Sequence, residues 1–171
     1  MMKNERVSLE RLRQLLDYDP ETGIFTRRIT TSSRALKGTK AGRNNGNGYL
    51  RIMIDGYTDY AHRLAWFHFY GEWPEFEIDH IDGNGKNNRI LNLRNGTHAE
   101  NFQNLSIRNT NKSGRTGVSW SKLHSKWEAY IWVNSKKKHL GLFDDLNEAG
   151  VAYLKAKQEL HHFQPTPRGA R

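Results

Sequence analysis

The chain has no cysteine among its 171 residues. Neither a disulfide framework nor a thiolate zinc site can form, so any metal must be held by oxygen and nitrogen ligands, and no zinc is expected. Long apolar runs are also missing: none approaches the roughly 18 residues that a membrane-spanning helix needs. The opening MMKNERVSLE lacks the apolar centre of a signal peptide. These absences predict a soluble, intracellular protein with no membrane partner. What is present supports real cores, with 36% hydrophobic residues and five tryptophans in a length that suits one ordinary domain or two small ones.

Positive charge dominates, but unevenly. Residues 1–61 carry 11 Lys/Arg against 7 Asp/Glu, residues 62–104 carry 4 against 6, and residues 105–171 carry 12 against 5, giving +4, −2 and +7. Basic flanks of this size are the electrostatic footprint of a protein that meets a polyanion such as nucleic acid; an acidic centre suits a site that holds a cation. A solvated basic surface would look the same by charge alone.

Leu9, Leu12, Leu15 and Leu16 recur at helical spacing after Ser8, a good N-cap, and predict a helix over 8–17. Asp19-Pro20-Glu21-Thr22-Gly23 is a turn, and a strand over 24–28 follows. Between Arg27 and Arg43 lie six basic residues (Arg27, Arg28, Arg34, Lys37, Lys40, Arg43) and no acidic one, among Ser, Thr and Gly. This reads as a mobile arm that phosphates would order, or as a plain disordered loop. Two strands, 49–54 and 57–61, flank Asp55-Gly56, a dipeptide suited to a tight hairpin. HRLAWFHFY (62–70) predicts a largely buried helix stopped by Gly71 and Pro74, its His62 and His68 serving as core or boundary residues. A short extended segment is expected at 90–94, and Thr97-His98-Ala99-Glu100 is a capping box that opens a helix through Gln103.

The chemistry gathers at E-I-D-H-I-D-G-N-G-K-N-N (77–88) and just beyond. Asp79 offers a hard carboxylate oxygen and Asn101 an amide oxygen, both suited to a cation such as Mg²⁺. His80 carries an imidazole whose ordinary pKa lies near working pH, which fits it to deprotonate water. Asn92 can hold His80 through its backbone or fix its loop, since a carboxamide both donates and accepts. Asp82, Gly83, Asn84 and Gly85 read as the tight loop, with Asp82 not a ligand, and Asn87, Asn88 and Arg89 as its ties. In isolation Asp79-His80 equally suits a salt-linked structural pair.

From His62 to Asn104 the sequence resembles the HNH nucleases: H-R-L-A-W, D-H-I-D-G-N, N-N-R-I-L-N-L-R and T-H-A-E-N stand at matching spacing. It is most similar to the phage and intron-associated branch, where the third letter of the motif is an asparagine on the helix. The resemblance implies a ββα-metal core in which Asp79 and Asn101 bind one divalent ion, most simply Mg²⁺ with Mn²⁺ as a substitute. It implies His80 as general base and Asn92 as the residue that positions it, with Arg89 or Arg94 on a phosphate. His98 receives no role. Hydrolysis would leave 5′-phosphate and 3′-hydroxyl ends, in the cytoplasm of a bacterial or phage-infected cell.

Residues 104–114 are polar and rich in Asn, Ser and Gly, as in a linker. Strands are expected at 118–122, 126–133 and 138–143, then a helix at 147–160 with Ala149, Ala152, Ala156 and Leu160 on one side, and a frayed tail. G-V-S-W, K-W-E-A-Y-I, H-L-G-L-F and N-E-A-G-V-A-Y make this part similar to the APETALA-two / ethylene-response-factor domain, in which the sheet lies in the major groove of duplex DNA. The resemblance implies outward-facing contacts from among Arg115, Trp120, Lys122, Lys126, Trp127, Lys136, Lys137 and Lys138, the lysine run meeting phosphates. It departs from the plant pattern at Ser119 and Trp120, where base-reading arginines usually stand. Alternation places one of Trp127 and Trp132 toward the helix.

The combined expectation is an α+β protein: an N-terminal helix, basic arm and β-hairpin (1–61), an HNH core (62–104), a linker (105–115), a three-stranded antiparallel sheet packed on one helix (116–163) and a tail (164–171). Duplex DNA is the expected partner and a monomer the default state. A DNA-binding regulator that keeps the fold without cutting is the alternative.

Overall fold

The computed structural model describes residues 7–103 and 111–161. Most of the expected linker and the tail lie outside the described residues. The chain divides into two compact units, Met1–Gly96 and Thr97–Arg171. No helix among the described residues is long and apolar enough to cross a membrane.

In the first unit, α1 (Leu9–Leu15) begins where the Ser8 hydroxyl accepts from the Arg11 amide, and it buries Leu12 and Leu15. It is shorter than its leucine spacing suggests. Leu16 satisfies both a helical and an alternating pattern, and the alternation wins: β1 (Leu16–Asp19) buries Leu16 and Tyr18 and pairs antiparallel with β2 (Ile24–Arg27). The intervening turn closes on Gly23 at φ +73°.

The basic arm, expected to be mobile, is folded. Backbone bonds from Arg27 N–H to Thr39 O, from Gly38 N–H to Arg27 O and from Thr31 N–H to Ala35 O fold it back on itself. It then contributes β3 (Lys40–Ala41), beside β2, and β4 (Arg43–Asn44), beside β5 (Leu50–Ile54). Satisfied backbone groups hold this segment in its folded-back course.

The Asp55-Gly56 hairpin forms as expected, with both turn residues at positive φ (+49° and +83°) joining β5 to β6 (Tyr57–Tyr60). Ala61 belongs to the next element, α2 (Ala61–Tyr70), which buries Ala61, His62, Leu64, Ala65 and Phe67 but leaves Phe69 and Tyr70 exposed. It ends at Gly71, left-handed at φ +82°, whose amide donates to Phe67 O. These faces of α1, α2, β1, β2 and β5 meet in one core around Leu12, Phe25, Leu64 and Ala65; each fully buried Leu or Phe contributes about 1.5–3 kcal/mol.

β7 (Glu77–His80) and β8 (Leu93–Gly96) form a separate antiparallel pair. Residues Ile90–Asn92, expected to be extended, form a 3₁₀ turn that buries Ile90 before the strand starts.

In the second unit, Thr97 caps α3 (His98–Phe102) with both bonds of the capping box: its side chain accepts from the Glu100 amide and Glu100 accepts from the Thr97 amide. Further on, β9 (Val118–Ser121), β10 (Lys126–Val133) and β11 (Lys136–Phe143) form an antiparallel sheet in the order β11-β10-β9, packed on α4 (Leu146–Leu160). Its core is Val118, Ala129, Ile131, Ala149, Tyr153 and Ala156. The β10–β11 turn needs only Asn134 and Ser135, both at positive φ, so Lys136 and Lys137 belong to the strand and not to the turn.

Candidate active site

Strand register separates the two acidic-site neighbours. Asp79 stands opposite Arg94 and His80 opposite Leu93, so the side chains of Asp79 and His80 leave β7 on different faces. Arg94 donates to Asp79 Oδ2 from Nε at 3.0 Å and from Nη2 at 2.6 Å. Arg94, considered for phosphate contact, therefore lies against the carboxylate considered for the metal, with both side chains less than one-fifth exposed.

His80 is 3% exposed. Its ring meets Tyr49 at 5.7 Å and stands edge-on to His62 at 5.0 Å, while Nε2 lies 3.1 Å from Asn88 Oδ1. Burial lowers its pKa, against an opposing hydrogen bond to Asn88 Oδ1 and the charges of Asp82 and Asp79. The ring is thus neutral at neutral pH and competent to accept a proton. His62 is pushed down to about 3, first by burial and then by His80 and Arg63, so it acts as a neutral wall.

The loop after β7 is self-tied. Ile81 N–H donates to Asn92 O, Asp82 N–H to Asn92 Oδ1, and Asn92 Nδ2 to both Asp82 Oδ1 and Asn87 O. Asp82 also accepts from Asn84 N–H at 2.8 Å and Asn87 Nδ2 at 2.7 Å. These bonds outweigh burial and hold its carboxyl below the ordinary value. Asn92 fixes the loop that follows His80, and it is Asn88 that touches the ring. Gly85 leaves room for Tyr49, whose ring would lie 2.6 Å from a β-carbon there.

Asn101 sits on α3 in the second unit, its amide donating to Thr97 O at the capped first turn; His98 is exposed beside it. Among the described residues no group of three or more His, Cys, Asp or Glu is arranged for a metal. A carboxylate and a carboxamide are each hard-oxygen donors of the kind that suits a Mg²⁺-like ion.

Of the basic residues, Arg34, Lys37, Lys40, Arg43 and Arg89 are exposed. Arg27 donates to Thr39 Oγ1 and Lys40 O, and the exposed Arg28 donates to Arg13 O. On the C-terminal sheet, Trp120 lies opposite Trp127, on the same side as Val118 and Ala129. It is thus on the helix-facing side, contrary to expectation, and packs edge-on with Trp127 at 5.1 Å. Trp132 is the outward one, 54% exposed. Lys126 and Lys137 share its face, Lys126 paired with Asp144 and Lys137 with Glu128 at 3.0 Å each. Lys136 and Lys138 are exposed on the opposite side of β11, and Lys122 is exposed in the turn after β9. Arg115 reaches Asn147 and packs where a β-carbon on Gly150 would lie.

Sequence reasoning missed Asn88, Tyr49 and His62 as the surroundings of His80. Asn88 had a weak signal, as one of several asparagines in a Gly-rich loop, and His62 one as the first letter of H-R-L-A-W; Tyr49 had none.

Residues 59–103 match the HNH endonuclease family, spanning β7, β8 and α3 together with α2. Protein 3.8 of Escherichia phage T7 is 35% identical over 101 residues, which is 58% of this chain and 83% of that protein. The chain belongs to the HNH endonuclease family. Among solved structures it is similar to the HNH homing endonuclease I-HmuI, at 22% identity and a TM-score of 0.44 over 78% of this chain and 75% of that one.

Proposed function

We propose that the chain is a divalent-metal-dependent HNH endonuclease of the phage or mobile-element homing type that hydrolyses phosphodiester bonds in duplex DNA. The observation that carries this reading is His80: a buried, neutral imidazole, oriented by a carboxamide, inside the segment that matches the family. Residues 62–104 form its ββα-metal core, and residues 116–163 form an ethylene-response-factor-like domain that positions it on DNA.

Asp79 and Asn101 are the residues that would hold the ion, Mg²⁺ or Mn²⁺; when bound, such an ion supplies positive charge for the scissile phosphate and the leaving 3′ oxygen. His80 takes the proton of the attacking water, and its burial keeps it in the accepting form. Asn92 and Asp82 hold the loop so that this ring does not wander. The exposed cations of the arm and of the sheet contact phosphates without reading sequence.

The pairing of Arg94 with Asp79 favours one other reading, a DNA-binding regulator in which the arginine permanently occupies the place of the ion. A plasmid assay separates them. Wild-type protein with Mg²⁺ or Mn²⁺ is expected to nick or linearise supercoiled DNA, His80→Ala to be reduced by at least about 100-fold, and EDTA to abolish cleavage. Cleavage no greater than that of His80→Ala would leave the regulator.

A further inference from the structure

The Asn88 side chain is 1% exposed and presents Oδ1 to His80 Nε2. Its Nδ2 is buried with no hydrogen-bond partner. A buried donor left unpaired is destabilising, so a carboxamide here is a poor choice for stability alone. What it gives in return is an acceptor fixed on one ring nitrogen.

The backbone of Asn88 is held just as firmly, and from a part of the chain that precedes residues 59–103. The buried Tyr18 hydroxyl, on β1, donates to Asn88 O at 2.7 Å. Ile90 N–H donates to Pro20 O in the β1–β2 turn. Gly23, at φ +73°, lies flush on the Asn88–Arg89 peptide: a β-carbon there would stand 2.4 Å from both Asn88 C and Arg89 N. Only glycine allows that approach.

We propose that the β1–β2 hairpin, through Tyr18 and Gly23, clamps Asn88 so that its Oδ1 fixes the tautomer of His80, making Asn88, Tyr18 and Gly23 positioning residues of the hydrolytic site. A neutral imidazole has one N–H and one lone pair. An oxygen on Nε2 places the proton there and leaves Nδ1 as the nitrogen that accepts from water. A rotated carboxamide would present N–H to Nε2 and move the ring proton to Nδ1, silencing that nitrogen as a base. The hairpin is thus part of the site although it precedes the matched segment.

The inference rests on His80 acting as the base, and its test separates the two. In ¹⁵N-labelled full-length protein at pH 8, the ring shifts of His80 should show a protonated Nε2 and a pyridine-like Nδ1, a result that requires no cleavage activity. Asn88→Ala should mix the tautomers and lower kcat by about 10- to 100-fold with KM unchanged. Asn88→Asp, whose carboxylate can only accept, should restore both. Tyr18→Phe should give a smaller loss in the same direction, and it stands in for Asn88→Ala if that variant does not fold. A wild-type ring protonated on Nδ1, a tautomer unchanged in the folded Asn88→Ala or Tyr18→Phe proteins, or an Asn88→Asp protein that folds yet is no better than Asn88→Ala would overturn the proposal. The expected shifts with no cleavage by any form would instead remove the nuclease reading.

Discussion

Replacing Asp82 by alanine tests whether this carboxylate is a strut of the loop or a ligand of the ion. Asp82 accepts three hydrogen bonds, from Asn84 N–H, Asn87 Nδ2 and Asn92 Nδ2, at 2.8, 2.7 and 3.0 Å. Bonds to a charged acceptor are worth about 1.5–3 kcal/mol each when buried, but these are partly exposed and share partners, so their joint loss should cost about 2–4 kcal/mol. In a unit of this size that lowers the unfolding midpoint by roughly 10–25 °C. Asp82→Asn, which keeps the shape but offers one acceptor in place of two, should fall between. The stabilisation should persist at every pH above the ordinary carboxyl value and vanish as pH falls through the lower native one. Thermal unfolding with metal-titrated nicking supplies both readings: kcat should fall as the loop loosens, while the Mg²⁺ concentration for half-maximal rate stays put. An unchanged midpoint together with a steeply raised metal requirement would refute the strut and make Asp82 a ligand.

Two other outcomes can be checked by simple unfolding. Because His62 is held near 3 while its unfolded value is about 6.5, the unfolded state binds the extra proton, and stability should climb with pH across that window by at most about 1.4 kcal/mol per unit; His62→Phe should flatten the climb in urea titrations at pH 4, 5 and 6, and an unaltered slope would contradict it. Gly117→Ala places a β-carbon 2.2 Å from the Tyr153 ring at φ +69°, so the second unit should lose about 2 kcal/mol or more by calorimetry, and a midpoint within a degree of wild type would refute the packing.

Sequence legibility followed locality. The Asp55-Gly56 hairpin, the Thr97–Glu100 box and the strand–strand–strand–helix run after residue 116 all rest on residues close in the chain, and each formed where expected. Leu16 was misread because a buried leucine satisfies two periods at once and only its partner Arg27 on β2 decides between them. The arm was misread because its order comes from backbone bonds, which composition does not reveal. Trp120 takes the helix-facing side through its register with Trp127 on β10, a pairing that residue type does not reveal. At the site, Asp79, His80 and Asn92 could be named from type and spacing, whereas Asn88 owes its place to Tyr18 and Gly23, 70 and 65 residues earlier in the sequence.

The capped start of α3 makes the helix independent of the sequence that follows it. At five residues the helix is too short to choose its own frame by propagation. Its frame is instead set at its first turn, where Thr97 and Glu100 satisfy each other and Asn101 closes the ring onto Thr97. All of these residues precede position 102. The helical phase of Asn101 is thus decided within residues 97–101, and a change of sequence beyond Phe102 leaves it where the cap put it.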